Sequence, residues 1–442
     1  MTAGSILLVG EVVIDVVGLG SEDSSVRFGG ICHACRALAA AGVEFEVAYA
    51  APSYAWDELE ASFARLGAGR SFRVAETLGA PGVMIVGHAE EATHQGYDLL
   101  LRDQVLFRTS QENIDRLAHT ECADALVIAG DFPLAGVLGA LGRSSARVHI
   151  DWANALGSLQ EMVALGRPAS TFILSTSSGH FLDTCGGRFS RLVSAVVPSL
   201  AEGVLLKENR GGARYQGTGS PPVMIGAQAR PIKHSVGIGD CFDAVFVASA
   251  RIEDTATALR RAAWCAAEYA ATLNMDVFVT EVRRSFTLSP DELALSPGIV
   301  LPWEDRAGMS VYIAAPDFSG RNTANIDAVE GALKYHNFLP RRPVREVGQL
   351  SDGATEAERA WVCDADLAIL ETSAAVVGVY DDNDPGTLVE LGFAAGKGIP
   401  TLLYDPDHKA RNPMLTGICH RVTHNLDELI LEVFRILGAR VA

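Results

Sequence analysis

The stretch Asp382–Pro400, DNDPGTLVELGFAAGKGIP, constrains this chain more than any other. An apolar run precedes it at Asp366–Leu370 (DLAIL) and reads as a buried strand, and another follows at Ile399–Tyr404 (IPTLLY). Between them, Leu388–Lys397 has helical spacing, and Gly398 stands where a helix stop belongs. Strand, acidic loop, short helix and strand make a βαβ unit. Its polar residues fall where the first strand's C-terminal end meets the helix N-terminus, the place that α/β sheets offer to ligands.

The chemistry of that corner follows from its acids. The expectation is that Glu390 lies in the first helical turn, where free N–H groups and the helix dipole favour a charged carboxylate. A fixed, ionised carboxylate can act as nucleophile toward a sugar anomeric carbon. Asp384, six residues earlier, is placed to hydrogen-bond a substrate base or to pass it a proton. A structural reading stands beside this one. Thr387-x-x-Glu390 has the form of a capping box, which requires no function.

At 442 residues the chain exceeds one ordinary core, so two domains are expected. A hydrophobic content of 48% with 20% charged residues is that of a folded globular protein. The formal charge of −18 argues against nucleic acid or an anionic membrane surface as partner. It leaves room for a small anionic ligand, because local cations and helix N-termini bind one regardless of net charge. No apolar run approaches the length of a membrane span. The run Ile6–Val17 contains Glu11 and Asp15 and lacks a basic leader, so it reads as a strand rather than a signal peptide. Eight cysteines, scattered over the whole length, suggest reduced thiols and a cytoplasmic location. Cys32-His33-Ala34-Cys35 has metal-like spacing, but no second Cys/His pair accompanies it, and the run is alanine-rich and helical, so no metal site is expected.

The boundary between domains is placed where period gives way to Pro290, Pro297, Gly298 and Pro302. This assigns 1–285 to the first domain, 286–308 to a linker and 309–442 to the second. In the first, a strand pair or one long bent strand is expected at Ser5–Val17, strands at Glu44–Ala50, Pro81–His88, Ala125–Ala129, Val148–Asp151, Thr171–Leu174 and Gly203–Lys207, and a helix at Ile31–Ala41. Alternation of strands and helices implies a largely parallel sheet covered on both faces. In the second, a strand at Val311–Ala314, a helix at Ile326–Tyr335, a short strand at Pro343–Val347, a helix at Glu356–Ala365 and a closing helix at Leu426–Leu437 complete the βαβ unit.

A second candidate site lies in the first domain. Ser235-Val236-Gly237-Ile238-Gly239-Asp240 precedes an apolar helix beginning at Cys241. Two glycines before a helix leave backbone N–H groups open to an anion. Asp240 could take a proton from a hydroxyl that attacks a phosphoryl group. A glycine turn with Asp as ordinary N-cap gives the same pattern.

Two resemblances sharpen these readings. The string DPGTLVELGFAAGKGIP is similar to the signature of nucleoside 2-deoxyribosyltransferases. Ser310–Pro316 (SVYIAAP), Ala365–Ala368 (ADLA) and Asn412-Pro413-Met414 resemble further elements of that family, in the same order over roughly the last third of the chain. The resemblance implies Glu390 as nucleophile, Tyr312 as the hydroxyl that positions it, Asp366 supporting the sugar and Asp384 the base. Gly386 and Thr387 would contact substrate, and Asn412 would be presented to a neighbouring subunit, which implies a homo-oligomer. Residues 1 to about 285 resemble the PfkB or ribokinase-like sugar kinases. Gly237-Ile238-Gly239-Asp240-x-Phe242-x-Ala244 is similar to their second signature. Gly29-Gly30 with Ala37-Leu38-Ala39-x-x-Gly42 resembles the first, Gly10-Glu11 with Asp15 the opening strand, and Glu208–Gly212 a turn near the nucleotide. This implies Asp240 as base, Gly237, Ile238 and Gly239 as the phosphate- and ATP-binding turn, Asp15 and Gly30 as substrate contacts, and ATP with Mg2+ as cofactors. Three positions depart from that pattern. His33 replaces an Asn, Val245 replaces a Gly, and Ser175–Phe181 (STSSGHF) lacks the Asn-x-x-Glu that organises magnesium.

The fold expected is therefore α/β in two domains, a ribokinase-like α/β sandwich followed by a smaller flavodoxin/Rossmann-like doubly wound parallel sheet. The function expected is bifunctional processing of a nucleoside, nucleotide or sugar, combining N-glycosidic cleavage or transfer with phosphorylation by ATP. The alternatives are an NAD or nucleotide N-glycosidase with a degenerate kinase domain as sensor, and a regulator that binds ligand without turnover.

Overall fold

The structure is a computed structural model that describes residues 4–17, 25–86, 97–100, 105–152, 157–351, 353–381 and 383–441. His88, the expected end of one strand, and Asp382 lie outside the described residues. The chain divides into two compact units, one running to Val300 and the other from Leu301 onward.

The first unit is built on a ten-stranded sheet. Its strands are β1 (Ile6–Glu11), β4 (Phe45–Ala51), β5 (Arg70–Leu78), β8 (Leu106–Thr109), β9 (Asp124–Ile128), β10 (Arg147–Asp151), β11 (Thr171–Ser175), β12 (Gly203–Lys207), β13 (Ala213–Gly217) and β14 (Val223–Ile225). Their order is β14-β13-β12-β11-β10-β9-β1-β4-β5-β8. The strands from β12 to β5 run parallel, while β13, β14 and β8 are antiparallel edges. A smaller sheet of β2 (Ile14–Val17), β3 (Ser25–Phe28), β6 (Val83–Val86) and β7 (Tyr97–Leu100) has the order β3-β2-β6-β7. Of the two readings of Ser5–Val17, a strand pair or one long bent strand, the pair is found, with one strand in each sheet. The central strands are almost wholly apolar, as strands covered on both faces must be. Leu7, Val9, Leu126 and Ile150 are all fully buried. Chain order reverses between β1 and β9, so a crevice opens at the C-terminal edge there.

The second unit carries β15 (Ser310–Ala314), β16 (Leu339–Arg341), β17 (Ala375–Val379), β18 (Thr401–Tyr404) and β19 (Arg421–Thr423), all parallel, in the order β16-β15-β17-β18-β19. Counted within the unit this is 2-1-3-4-5, the doubly wound order of flavodoxin-like sheets, with its switch point between β15 and β17.

Three local expectations are corrected. Asp366–Leu370 is not a strand but the end of a helix, Glu356–Glu371, and the strand that follows is Ala375–Val379. A short apolar run suits either state, and the β-branched valines of AVVGV hold the extended one. Pro343–Val347 begins a helix, Pro343–Glu346, with proline at its first position, where its missing N–H costs nothing. The capping acid of helix Pro385–Gly396 is Asp384 rather than Thr387. Within the expected linker, Pro290–Ala294 is a helix closed by a Ser289/Glu292 capping box, and Trp303–Arg306 is another.

Candidate active sites

In the second unit, Tyr312 is fully buried on β15, and its hydroxyl donates to Glu390 Oε1 at 2.6 Å. Glu390 lies on helix Pro385–Gly396, which starts one residue after Asp384. This puts Glu390 in the second turn, beyond reach of the free N–H groups that the sequence reading gave it. The electrostatics agree with the new position. Burial pushes the Glu390 carboxyl up to about 7, the Tyr312 hydrogen bond opposes the shift, and the Asp366 and Asp384 charges add to it. The Tyr312 hydroxyl is held well above its ordinary value by burial and then by Glu390, so it remains a donor. Glu390 Oε2 has no hydrogen-bond partner among the described residues.

Asp366, on helix Glu356–Glu371, is near enough to act on Glu390, and its own carboxyl is raised by burial. Its Oδ1 is buried without a hydrogen-bond partner. Asp384 Oδ2 accepts from the Thr387 N–H at 2.8 Å and from the Thr387 hydroxyl at 2.9 Å. Thr387 is thus buried in the helix start, while Gly386 is exposed beside it. Tyr312, Asp366, Asp384 and Glu390 come together. Asn412 does not join them, and serves as an exposed N-cap whose Oδ1 accepts from the Met414 N–H at 2.9 Å. A partly desolvated carboxylate with one oxygen steadied by a phenol and the other free can attack an electrophilic carbon once it has lost its proton.

In the first unit, Gly237 caps helix Ile238–Ser249 with a φ of 78°, and a Cβ there would lie 2.1 Å from the His33 ring. Only glycine fits, for both reasons. Asp240 stands in the first turn. Burial pushes its carboxyl up to about 7, Asp151 adds to the shift, and Lys207 opposes it. Lys207 ends β12 and joins Asp151 Oδ2 at 3.1 Å and Asp243 Oδ2 at 2.6 Å. Burial alone would lower the Lys207 ammonium, but the two aspartates more than reverse that and hold it charged. Asp151 and Lys207 stand at strand ends, yet Lys207 lies 56 residues from Asp151 and 36 from Asp243. Sequence reasoning passed over this cluster because nothing local joins its members.

Asp15 and Gly30 take positions that the sequence alone does not convey. Asp15 is fully buried, with His33 Nε2 at 2.9 Å and Arg27 Nε at 3.6 Å. His33 is lowered to about 4 by burial, against the pull of Asp15, so its ring is neutral. Nε2 faces the Asp15 carboxylate, and Nδ1 shares a 2.7 Å hydrogen bond with the Tyr269 hydroxyl. Gly30 has a φ of 58°, and a Cβ there would lie 2.3 Å from the Glu11 carbonyl oxygen. Cys32 and Cys35 are buried thiols whose values burial raises.

The residues around the turn do not fit a divalent cation. Asp151 and Asp243 hold an ammonium, and no group of three or more His, Cys, Asp or Glu side chains among the described residues is arranged to hold a metal.

Comparison with known proteins finds one family model and several solved structures. Residues 311–430 match the family model described as nucleoside 2-deoxyribosyltransferase. No curated protein matches the chain. Among solved structures, a nucleoside kinase from Burkholderia thailandensis in complex with inosine is 13% identical with a TM-score of 0.49, over 66% of this chain and 100% of that one. A ribokinase from Arabidopsis thaliana complexed with ribose and ATP is 14% identical with a TM-score of 0.47, over 65% and 100%. A ribokinase from Thermotoga maritima is 15% identical with a TM-score of 0.46, over 64% and 100%.

Proposed function

We propose that the second unit cleaves or transfers the N-glycosidic bond of a (deoxy)ribonucleoside through Glu390. The observation that carries this reading is the Tyr312–Glu390 hydrogen bond at 2.6 Å, with Asp366 and Asp384 beside it, in a segment matching the deoxyribosyltransferase family model. Glu390 Oε2 attacks the anomeric carbon, a C–O bond forms, and the C–N bond to the base breaks. The base leaves with the electron pair and is protonated at nitrogen with help from Asp384. A second base or water then attacks the same carbon and releases Glu390. Tyr312 holds Oε1 and favours the ionised carboxylate. Asp366 supports the sugar, and Gly386 and Thr387 shape the substrate side of the helix start.

For the first unit we propose phosphorylation of a sugar or nucleoside by ATP, with the Gly237–Gly239 turn holding the phosphoryl anion and Asp240 as base. Asp240 is raised to about 7, which suits a group that takes a proton near neutrality. A second reading has a specific observation in its favour. The Asp15 carboxylate is already engaged by His33 and Arg27, which suits a unit that binds ligand as a sensor while the second unit acts on NAD or another nucleotide. A homo-oligomer remains part of the proposal, because Asn412 is exposed and turned to capping rather than to Glu390. Light scattering on the purified protein tests it, and a monomer sinks it. Among the described residues no helix is long and apolar enough to cross a membrane.

Incubation with a nucleoside panel, NAD and ATP, followed by chromatography of free base, nicotinamide and ADP, separates these readings. Base release together with ADP formation supports the bifunctional reading. Nicotinamide release supports the sensor reading. No product of any kind overturns both.

A further inference from the structure

An anion bound at a helix start needs counter-charge, and in phosphoryl-transfer sites a divalent ion commonly supplies it. The carboxylates near the Gly237–Gly239 turn are not arranged for such an ion, and Ser175–Phe181 carries neither a carboxylate nor a side-chain amide. Lys207 is arranged to supply the charge itself. Its Nζ lies 3.1 Å from the position a Cβ on Gly239 would take, directly against the second glycine of the turn. A second observation concerns Asp243. It is fully buried, one oxygen lies 2.6 Å from the Lys207 ammonium, and the other has no hydrogen-bond partner. Burial raises the Asp243 carboxyl above its ordinary value, and the Lys207 ammonium opposes that shift. A buried carboxyl with an open oxygen is costly in a finished core, so its hold on Lys207 is not that of a fully satisfied pair.

We propose that the first unit binds a phosphoryl anion on the Gly237–Gly239 turn with the Lys207 ammonium as its built-in counter-charge, and that this binding needs no divalent cation. The inference rests on the reading of that turn as an anion site. Lys207 reaches the anion by loosening its hold on Asp243, so Asp243 competes with the ligand for the ammonium.

The test is calorimetric titration of the full chain with ATP, pyrophosphate and inorganic phosphate, each in EDTA and in Mg2+. The expected result is that the tightest of the three binds equally in both buffers, within about threefold. Which of the three is tightest identifies whether the phosphoryl group comes from a nucleotide or from a free anion. Lys207→Met should weaken that ligand about 10- to 100-fold, as loss of a charge-assisted hydrogen bond does, and Lys207→Arg should keep most of the affinity. Asp243→Asn keeps the shape and removes the competitor, so it should tighten binding severalfold. A purely structural ion pair would instead lower the thermal transition in Asp243→Asn and leave anion affinity unchanged, which overturns the proposal even if Lys207→Met does not fold. Binding seen only with Mg2+ also overturns it, while leaving the anion-site reading intact. No binding in either buffer overturns both.

Discussion

The two units each hold a carboxyl raised to about 7, and they reach it in opposite surroundings. Glu390 is desolvated and answers to a neutral phenol, with two further acids near it. Asp240 is desolvated and answers to a charged amine that two other aspartates already hold. A neutral donor steadies a carboxylate without fixing its charge, so Glu390 stays close to its proton and one oxygen stays free. A buried cation fixes the charges around it, and Lys207 ties Asp151 and Asp243 into one charge-paired set. Asp15 with His33 and Arg27 repeats that pattern in the first unit. On the proposed function, the second unit offers a carboxylate for covalent work, and the first holds its charges in pairs.

The largest effect that tests this contrast is at Glu390. Glu390→Ala should lower base release by roughly three orders of magnitude or more, as removal of a nucleophile does, while Asp240→Asn leaves base release unchanged. Phosphoryl transfer should respond in reverse, falling about 10²- to 10⁴-fold in Asp240→Asn and not in Glu390→Ala. Chromatographic rates for base and ADP in both variants check this, and crossed effects would break the separation of roles.

Next comes Tyr312→Phe. Losing one hydrogen bond to a charged group corresponds to about 1.5–3 kcal/mol, so base release should fall about 10- to 100-fold. Its pH profile sharpens the point. In the wild type, base release should rise as pH passes about 7, where Glu390 loses its proton. Tyr312 favours the ionised form, so the midpoint should move upward in Tyr312→Phe. An unmoved midpoint would mean that another group controls the profile.

A stability effect of similar origin follows with its sign fixed. The folded Glu390 carboxyl is raised above its ordinary 4.5, so between that value and about 7 the folded state keeps a proton that the unfolded state has released. The Glu390 contribution is therefore favourable below about pH 4.5 and is lost as pH rises through 7. Glu390→Gln, which cannot ionise, should stabilise the chain above pH 7 by up to a few kcal/mol, at about 1.4 kcal/mol per unit. Thermal scans at pH 5 and 8 measure it, and an equal effect at both would contradict it. The smallest effect is at Asp384. Asp384→Ala should cost about 1 kcal/mol of stability through the lost cap, whereas Asp384→Asn should cost little because Asn caps as well.

How far the sequence revealed all this differs between the two sites for the same physical reason. The Tyr312, Asp366, Asp384 and Glu390 set was legible because three of its members fall within Asp366–Glu390, around one strand and one helix start. The parallel sheet was legible from the alternation of strands and helices. The state of DLAIL was not, since a short apolar run has no decisive period. Nor was the helix start, because Pro385 after Asp384 shifts the cap three residues ahead of Thr387 and moves Glu390 out of the first turn. In the first unit the glycine turn was visible, but Lys207, Asp151 and Asp243 meet only through parallel pairing of β10, β11 and β12 and the return of a later helix. His33 was visible as a departure, yet its place between Asp15, Gly237 and Tyr269 depends on three distant segments.

The claim at the centre of this account is that Glu390 becomes covalently attached to the sugar. Rapid acid quench of the full chain with a 2′-deoxynucleoside, followed by proteolysis and mass spectrometry, tests it directly. The expected result is a peptide carrying Glu390 that is heavier by one deoxyribosyl residue, with the adduct absent in Glu390→Ala. Base release at full rate with no adduct on that peptide, or with the adduct on another residue, would contradict it.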